Sequence, residues 1–288
     1  MPRDSLVTIY KSFIRPHLDY ADVIFDKPSN ATFSNRIESA QYNAALAITG
    51  TIRGTSKEKL YEELGFETMK DRRWFRRLCC FYKILNNQTP GYLYSLLVPP
   101  NRDYNTRRYT KFRQVFCRTE TFSNSFLPQT IKEWNKLDTS ICQAPSYSAF
   151  RKALLDFIRP TANSTFGTND VSGLKLLTRL RVGFSHLREH KFKHNFQDTL
   201  NPLCPCSLEA EDTYHFFMRC QSFSNQRNVL FDDLNSINSE ILKMSENEIV
   251  QVLLFGKKSF SKDMNFRIIT SSIRFIKDSK RFDEKLYS

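Results

Sequence analysis

The chain has 288 residues, a formal charge of +13, and 40% hydrophobic against 25% charged residues, enough apolar content for a core and too much for a disordered polyelectrolyte. With eight glycines and neither G-x-G-x-x-G nor G-x-x-x-x-G-K, Gly-rich phosphate loops are excluded, and no run of 18 apolar residues is present to span a membrane. The pI near 9.4 points to an anionic partner. The N-terminal MPRDSLVTIYKSFIRP scatters charges through its apolar positions, so it lacks the apolar stretch of a signal peptide. Seven cysteines, an odd number without that signal, do not form a disulfide framework. An intracellular, reducing compartment is expected, with nucleus and cytoplasm left open.

The periodicities predict a mainly α fold. Ile37, Ala40, Ala44, Ala45 and Ile48 share a face over 34–49, and Gly50 stops that helix. Thr55 and Glu58 read as a capping box for a helix closed by Gly65. Thr68 reads as the N-cap of a long helix to about Asn86, which Pro90 ends. Residues 98–122 read as irregular, polar and basic, with room for short strands. Helices follow near 126–137 and 146–158, the latter turning Phe150, Leu154 and Phe157 inward. The Pro/Thr/Asn/Ser/Gly run after Arg159 reads as a linker. Helices are then predicted at 173–182, 186–197, 221–238, after Ser245, and at 262–282. The division expected is 1–158, a linker at 159–172, and a domain at 173–288.

The charge is concentrated. Residues 70–118 carry twelve Lys/Arg against two acids, and residues 175–193 carry six against one. The candidate nucleic-acid contacts are Arg72, Arg73, Arg76, Arg77, Arg102, Arg107, Arg108, Lys111, Arg113 and Arg118 in the first zone. In the second they are Lys175, Arg179, Arg181, Arg188, Lys191 and Lys193. Arginine binds phosphate bidentately, and interleaved rings stack on unpaired bases. Trp74, Phe75 and Leu78, one helical turn apart, read instead as core.

Cys204, Cys206, His215 and Cys220 form C-x-C-x8-H-x4-C. Three thiolates and an imidazole suit a closed tetrahedral zinc site, which is structural because no coordination position stays open. Pro202 and Pro205 favour a turn for the close cysteines, and His215 and Cys220 fit a helix start. Cys79, Cys80, Cys117 and Cys142 read as apolar filler. His186, His190 and His194, spaced by four, would share a helix face that contacts phosphate or packs. No catalytic residues are assigned. Tyr20-Ala21-Asp22-Val23 lacks the second aspartate of a polymerase hairpin, and Asp232-Asp233 sits in a helical, solvated context.

Several blocks in order carry a resemblance. They are Ile9-Tyr10-Lys-Ser-Phe-Ile-Arg-Pro-x-Leu-x-Tyr20, Ile37-Glu38-x-x-Gln41 leading to Ala47-Ile48-Thr49-Gly50, and Leu60-x-x-Glu63-Leu64-Gly65 with Arg72-Arg73. Then come Trp134-Asn135-x-Leu137, Leu180-Arg181-x-Gly183, the Cys/His motif, Leu253-Leu254-Phe255-Gly256 and Lys280-Arg281-Phe282. This order resembles the C-terminal third of animal non-LTR (LINE, Jockey-like) retrotransposon reverse transcriptases, over essentially the whole chain. The resemblance implies that 1–158 correspond to a helical thumb and connector, and 173–288 to a small helical domain with a structural zinc knuckle that holds RNA or DNA. It implies that Cys204, Cys206, His215 and Cys220 are the ligands of a structural Zn2+. The family's palm aspartates would lie before residue 1, so the expectation is a truncated copy or incomplete gene model. Such a chain binds nucleic acid but is inactive alone as an RNA-directed DNA polymerase, with no membrane and no small-molecule substrate. The alternative is a helical protein-interaction scaffold with the same zinc.

Overall fold

The computed structural model describes residues 1–26, 30–97, 112–158, 166 and 168–283. The fold is mainly α: the described residues form sixteen α-helices, short π and 3-10 turns, and only an isolated antiparallel bridge, Leu203 to Ala210, in place of strands.

Local chemistry sets the helix ends. Thr68 Oγ1 accepts from the Asp71 amide at 3.0 Å and opens Met69–Leu85, as its spacing predicts. Ser245 and Glu248 form a full capping box for Glu246–Phe255. The cap of Lys57–Leu64 is Ser56, not Thr55: Ser56 Oγ accepts from the Lys59 amide, while the Thr55 hydroxyl donates to the Ile52 carbonyl. The helix expected over 186–197 shortens to Arg188–Lys193, because Ser185 Oγ holds the Leu187 amide and Asn195 turns at φ 54. No strand forms over 112–119, and residues 98–111 lie outside the described set.

The chain forms two compact units, each assembled from separated segments: Met1–Thr8, Ala44–Leu64 and Thr161–Ser288 in unit 1, Ile9–Asn43 and Gly65–Pro160 in unit 2. The sequence division places 1–8 and 44–64 with the N-terminal domain, whereas they cluster with the C-terminal segment. A buried ion triad contributes to that clustering. Glu63, wholly buried, faces Arg3 at 2.8 Å and Arg181 at 2.9 Å.

In unit 2, Met69–Leu85 packs on Phe126–Trp134 and Tyr147–Ile158. The core is aromatic: Phe81 lies 5.1 Å from Trp134, and Tyr82 stacks on Phe150 at 4.5 Å. Phe75 and Leu78 belong to it, Trp74 packs at its margin, and Cys79, Cys80 and Cys142 fill gaps as expected. Burial pushes the Cys79 thiol up to about 11.

In unit 1, Val171–Arg181, Ser224–Ile237 and Glu246–Phe255 pack on Lys262–Asp278. Two of these helices approach closely at Gly173, where a Cβ would meet Ile273 Cγ2 at 2.1 Å. Leu177, Phe216, Phe217, Leu234, Leu253, Ile269 and Ile276 fill this core, and Cys204 and Cys220 sit within it.

Candidate metal centre

Cys204 and Cys206 lie on a tight hairpin. The Ser207 amide donates to Cys204 O at 2.8 Å, the Cys204 amide to Glu209 O at 2.9 Å, and the Glu211 amide to Pro202 O at 2.8 Å. Ser207 takes the left-handed conformation that closes the turn, φ 64. His215 begins a π-helical turn to Arg219, and the Cys220 amide donates to His215 O at 2.8 Å. In an α-helix, residues five apart diverge by about 140°. The i→i+5 turn brings His215 and Cys220 to one side, which is how H-x4-C becomes a ligand pair.

The four side chains converge, with one ligand atom from each of Cys204, Cys206, His215 and Cys220 within 4.8 Å of all the others. Cys204 Sγ and Cys220 Sγ are 3.6 Å apart, and Cys206 Sγ and His215 Nε2 are 3.3 Å apart. Among the described residues this is the only His/Cys/Asp/Glu group of three or more that can hold a metal ion. Burial pushes the Cys204 thiol well above its ordinary value. At Cys206 burial acts the same way, but hydrogen bonds from the Leu208 and Glu209 amides and from the Cys204 and Cys220 thiols outweigh it and bring the thiol down.

Several supporting residues escape the ligand spacing. Glu209 Oε2 lies 3.4 Å from His215 Nδ1, so Nδ1 donates to the carboxylate and Nε2 keeps its lone pair for a cation. Asp212 Oδ1 caps the His215 amide at 2.6 Å. Arg227, buried, donates to Phe217 O at 2.7 Å and Cys220 O at 2.6 Å, fixing the turn that carries Cys220. Glu211 accepts two bonds from Arg281 and one from the Arg188 amide. The acidic run Glu209, Glu211, Asp212 inside the x8 spacing is the one sequence sign of this shell.

The basic zones behave differently from their expectation. Arg72 is held by Asp19 at 2.6 Å and Glu67 at 2.7 Å, and Arg76 by Asp22 at 2.7 Å. Arg73 reaches Asp26 at 3.0 Å, and Arg77 bridges Asp26 and Glu133. These four guanidinium groups are thus not bare cations: Arg73 and Arg77 are buried cross-links, while the paired Arg76 keeps 37% of its side chain exposed. Arg102, Arg107, Arg108 and Lys111 lie outside the described residues, while Arg113 and Arg118 are exposed.

In the second zone Arg181 is buried against Glu63 and Leu254 O, and Arg179 Nε donates to Gly50 O at 3.1 Å. Arg181 is therefore an internal cross-link, and Arg179 is half-buried. Lys191 pairs with Asp198 and Lys193 with Glu189. Lys175 and Arg188 are exposed, though Arg188 Nη1 also donates to Leu203 O at 3.2 Å. The three histidines are placed differently from one another. His186 precedes the helix and its carbonyl accepts from Arg281, His190 is buried on Ser185 Oγ at 2.8 Å, and His194 meets Phe184 edge-on at 4.0 Å. Burial lowers His190 to about 4, keeping it neutral. In the two polymerase-like strings, Asp22 pairs with Arg76 and Asp233 with Arg274.

No helix among the described residues is long and apolar enough to cross a membrane. Comparison with known proteins finds no matching family model, no similar curated protein and no similar solved structure.

Proposed function

We propose that the chain is a nucleic-acid-binding protein built around a structural zinc, the C-terminal part of a non-LTR retrotransposon reverse transcriptase. The observation that carries this reading is the convergence of Cys204, Cys206, His215 and Cys220. Tetrahedral zinc with bonds of about 2.3 Å to sulfur and 2.0–2.1 Å to nitrogen separates its ligands by about 3.8 Å (S to S) and about 3.5 Å (S to N). The 3.6 Å and 3.3 Å found here match that spacing. Softness agrees with this ion, since a three-thiolate, one-imidazole set disfavours magnesium and calcium. The family assignment itself rests on the order of the sequence blocks. With four protein ligands the ion activates no water, so its part is to hold the hairpin and the π-turn as one surface.

Two measurements test this reading. Metal analysis of the purified chain should give about one zinc, lost on Cys206→Ser. Fluorescence anisotropy with a 20-nucleotide oligouridine should show binding that weakens steeply with salt, because neutralising phosphates releases counterions. Absent or salt-independent binding refutes it. A second reading, a helical interaction scaffold with the same metal, is favoured by one specific observation: Arg72, Arg73, Arg76 and Arg77 are consumed in internal ion pairs. Under it, replacing Arg113 and Arg118 leaves RNA binding unchanged.

A further inference from the structure

Tyr147–Ile158 turns Phe150 and Leu154 wholly into the core of unit 2, whereas Phe157, which its spacing places inward with them, is 78% exposed. The ring is not isolated. It lies 6.4 Å from Trp74, tilted by 37°, and the two rings line a cavity of about 540 Å³ to which Ile37 and Met69 add apolar wall. Sites for small ligands occupy about 300–1,000 Å³. All the lining residues belong to unit 2.

Arg73 lines the same cavity and is only 6% exposed. Its Nη1 donates to Asp26 at 3.0 Å and its Nη2 to Leu18 O at 3.3 Å. Its Nε, equally buried, has no acceptor among the described residues. Buried N–H groups are nearly always paired, because an unmet one gives up its hydration for nothing. The acids of the lining are already engaged. Asp26 and Glu133 are bridged by Arg77, Glu38 accepts from the Met69 amide at 3.0 Å, and Asp71 accepts from the Thr68 hydroxyl at 2.7 Å. What the cavity lacks is an acceptor for Arg73 Nε. Among the described residues its lining holds four acids against three bases, so it does not draw a phosphate or carboxylate inside.

We propose that this cavity receives a nucleobase, stacked against the Trp74–Phe157 pair and accepting a hydrogen bond from Arg73 Nε through a carbonyl oxygen or ring nitrogen. Stacking alone admits any flat ring. The unmet donor excludes phenylalanine and tryptophan side chains, which offer no acceptor. The acidic lining excludes aromatic acids. A ring that is planar, uncharged and rich in acceptors is a base, and a free nucleoside and an unpaired base of a strand share that chemistry. The cavity and its unmet donor stand without the nucleic-acid reading above; that a strand supplies the base rests on it.

The test uses the full zinc-loaded chain and reads tryptophan fluorescence, in which Trp134, 2% exposed, is shielded and Trp74 is the reporter. Uridine should quench it with a dissociation constant of about 1 mM or tighter, and ribose 5-phosphate should not. A phenyl C-riboside, in which benzene replaces the base, stacks but accepts no hydrogen bond there, and should bind about tenfold more weakly than uridine. Phe157→Ala should weaken uridine about tenfold. Phe122→Ala, which removes another exposed ring of unit 2 that does not line the cavity, should leave uridine unchanged. Both are surface positions, and circular dichroism confirms the fold. Quenching by oligouridine identifies a strand as the source of the base; quenching by uridine alone identifies a free nucleoside, and either result upholds the inference. If neither quenches while salt-dependent oligouridine binding persists, the inference is overturned and the nucleic-acid reading stands. If uridine quenches but oligouridine does not bind at all, the nucleic-acid reading falls and the inference stands. If the phenyl riboside matches uridine, or N-acetyltyrosinamide outbinds it, the cavity takes an apolar ligand or a peptide side chain and the inference is overturned.

Discussion

Arg77 is the sharpest discriminator between a basic surface and an internal cross-link. Its side chain is 6% exposed, and it bridges Asp26, 7% exposed, and Glu133, 13% exposed. Arg77→Met fills a similar volume but leaves Glu133 without its cation and Asp26 with Arg73 alone. Breaking a buried ion pair by removing one partner costs about 3–5 kcal/mol. At about 2–4 °C per kcal/mol for a chain of this size, the affected transition should fall by about 10 °C. The two units need not melt together, so the probe must be local. Both tryptophans, Trp74 and Trp134, lie in unit 2, and intrinsic fluorescence therefore reports that unit alone. The double variant Arg77→Met/Glu133→Gln should recover part of the loss, because the stranded carboxylate has gone. RNA affinity measured well below the new midpoint should be unchanged. A midpoint shift under about 2 °C, together with a salt slope lower by about 0.7, would mean Arg77 meets phosphate after all and would refute the internal assignment.

Three more outcomes follow from the metal centre and its surroundings. Chelation should strip hydrogen-exchange protection from residues 203–223 while the Phe81–Trp134–Phe150 core of unit 2 keeps its own, since the metal's binding free energy is folding energy for the hairpin and π-turn alone; unchanged protection at 203–223 would show that the apolar core holds the knuckle without metal. Glu209→Gln should weaken zinc binding about 10–100-fold at neutral pH and leave the apo-protein's stability nearly unaltered, because the carboxylate acts through His215 Nδ1; competition against a chromophoric chelator measures it. His190, lowered to about 4, is neutral in the folded chain and titrates near 6.5 when unfolded, so the unfolded state binds more protons between those values. Stability should therefore be fully present above about pH 6.5 and fall as pH drops toward 4, and denaturant melts of His190→Gln should show a shallower acid slope than wild type, with equal slopes counting against the assignment.

How much of this was legible in the sequence depends on whether the deciding interaction is local. Thr68, Ser245 and Gly50 mark helix ends correctly because caps and left-handed stops act within four residues. The Cys204, Cys206, His215 and Cys220 cluster is legible because its members lie within 17 residues, joined by one hairpin and one turn. The arginine partners are not: Asp19, Asp22, Asp26 and Glu133 stand 47–56 residues from the guanidinium groups they neutralise. Counting charge by segment therefore reads a balanced internal network as a bare cationic patch. Local hydrogen bonding at Ser185 likewise cut the predicted histidine helix short.

Residue type offers a better signal than segment charge. The buried cations here are arginines: Arg73, Arg77, Arg181, Arg227 and Arg281. A guanidinium is weakly hydrated and its five donors fit carboxylates and carbonyls at fixed angles, so its burial can be offset. An ammonium is strongly hydrated, and its lysine stays at the surface with the head in water. Arginines spaced by four on a helix that also carries the apolar stripe, as Arg73 and Arg77 do beside Phe81, are in register with the core and should be read as inward. The lysines at 257, 258 and 262 follow a glycine turn and precede the apolar stripe, out of register with it. Read this way, the +13 formal charge presents fewer free cations than its two zones contain.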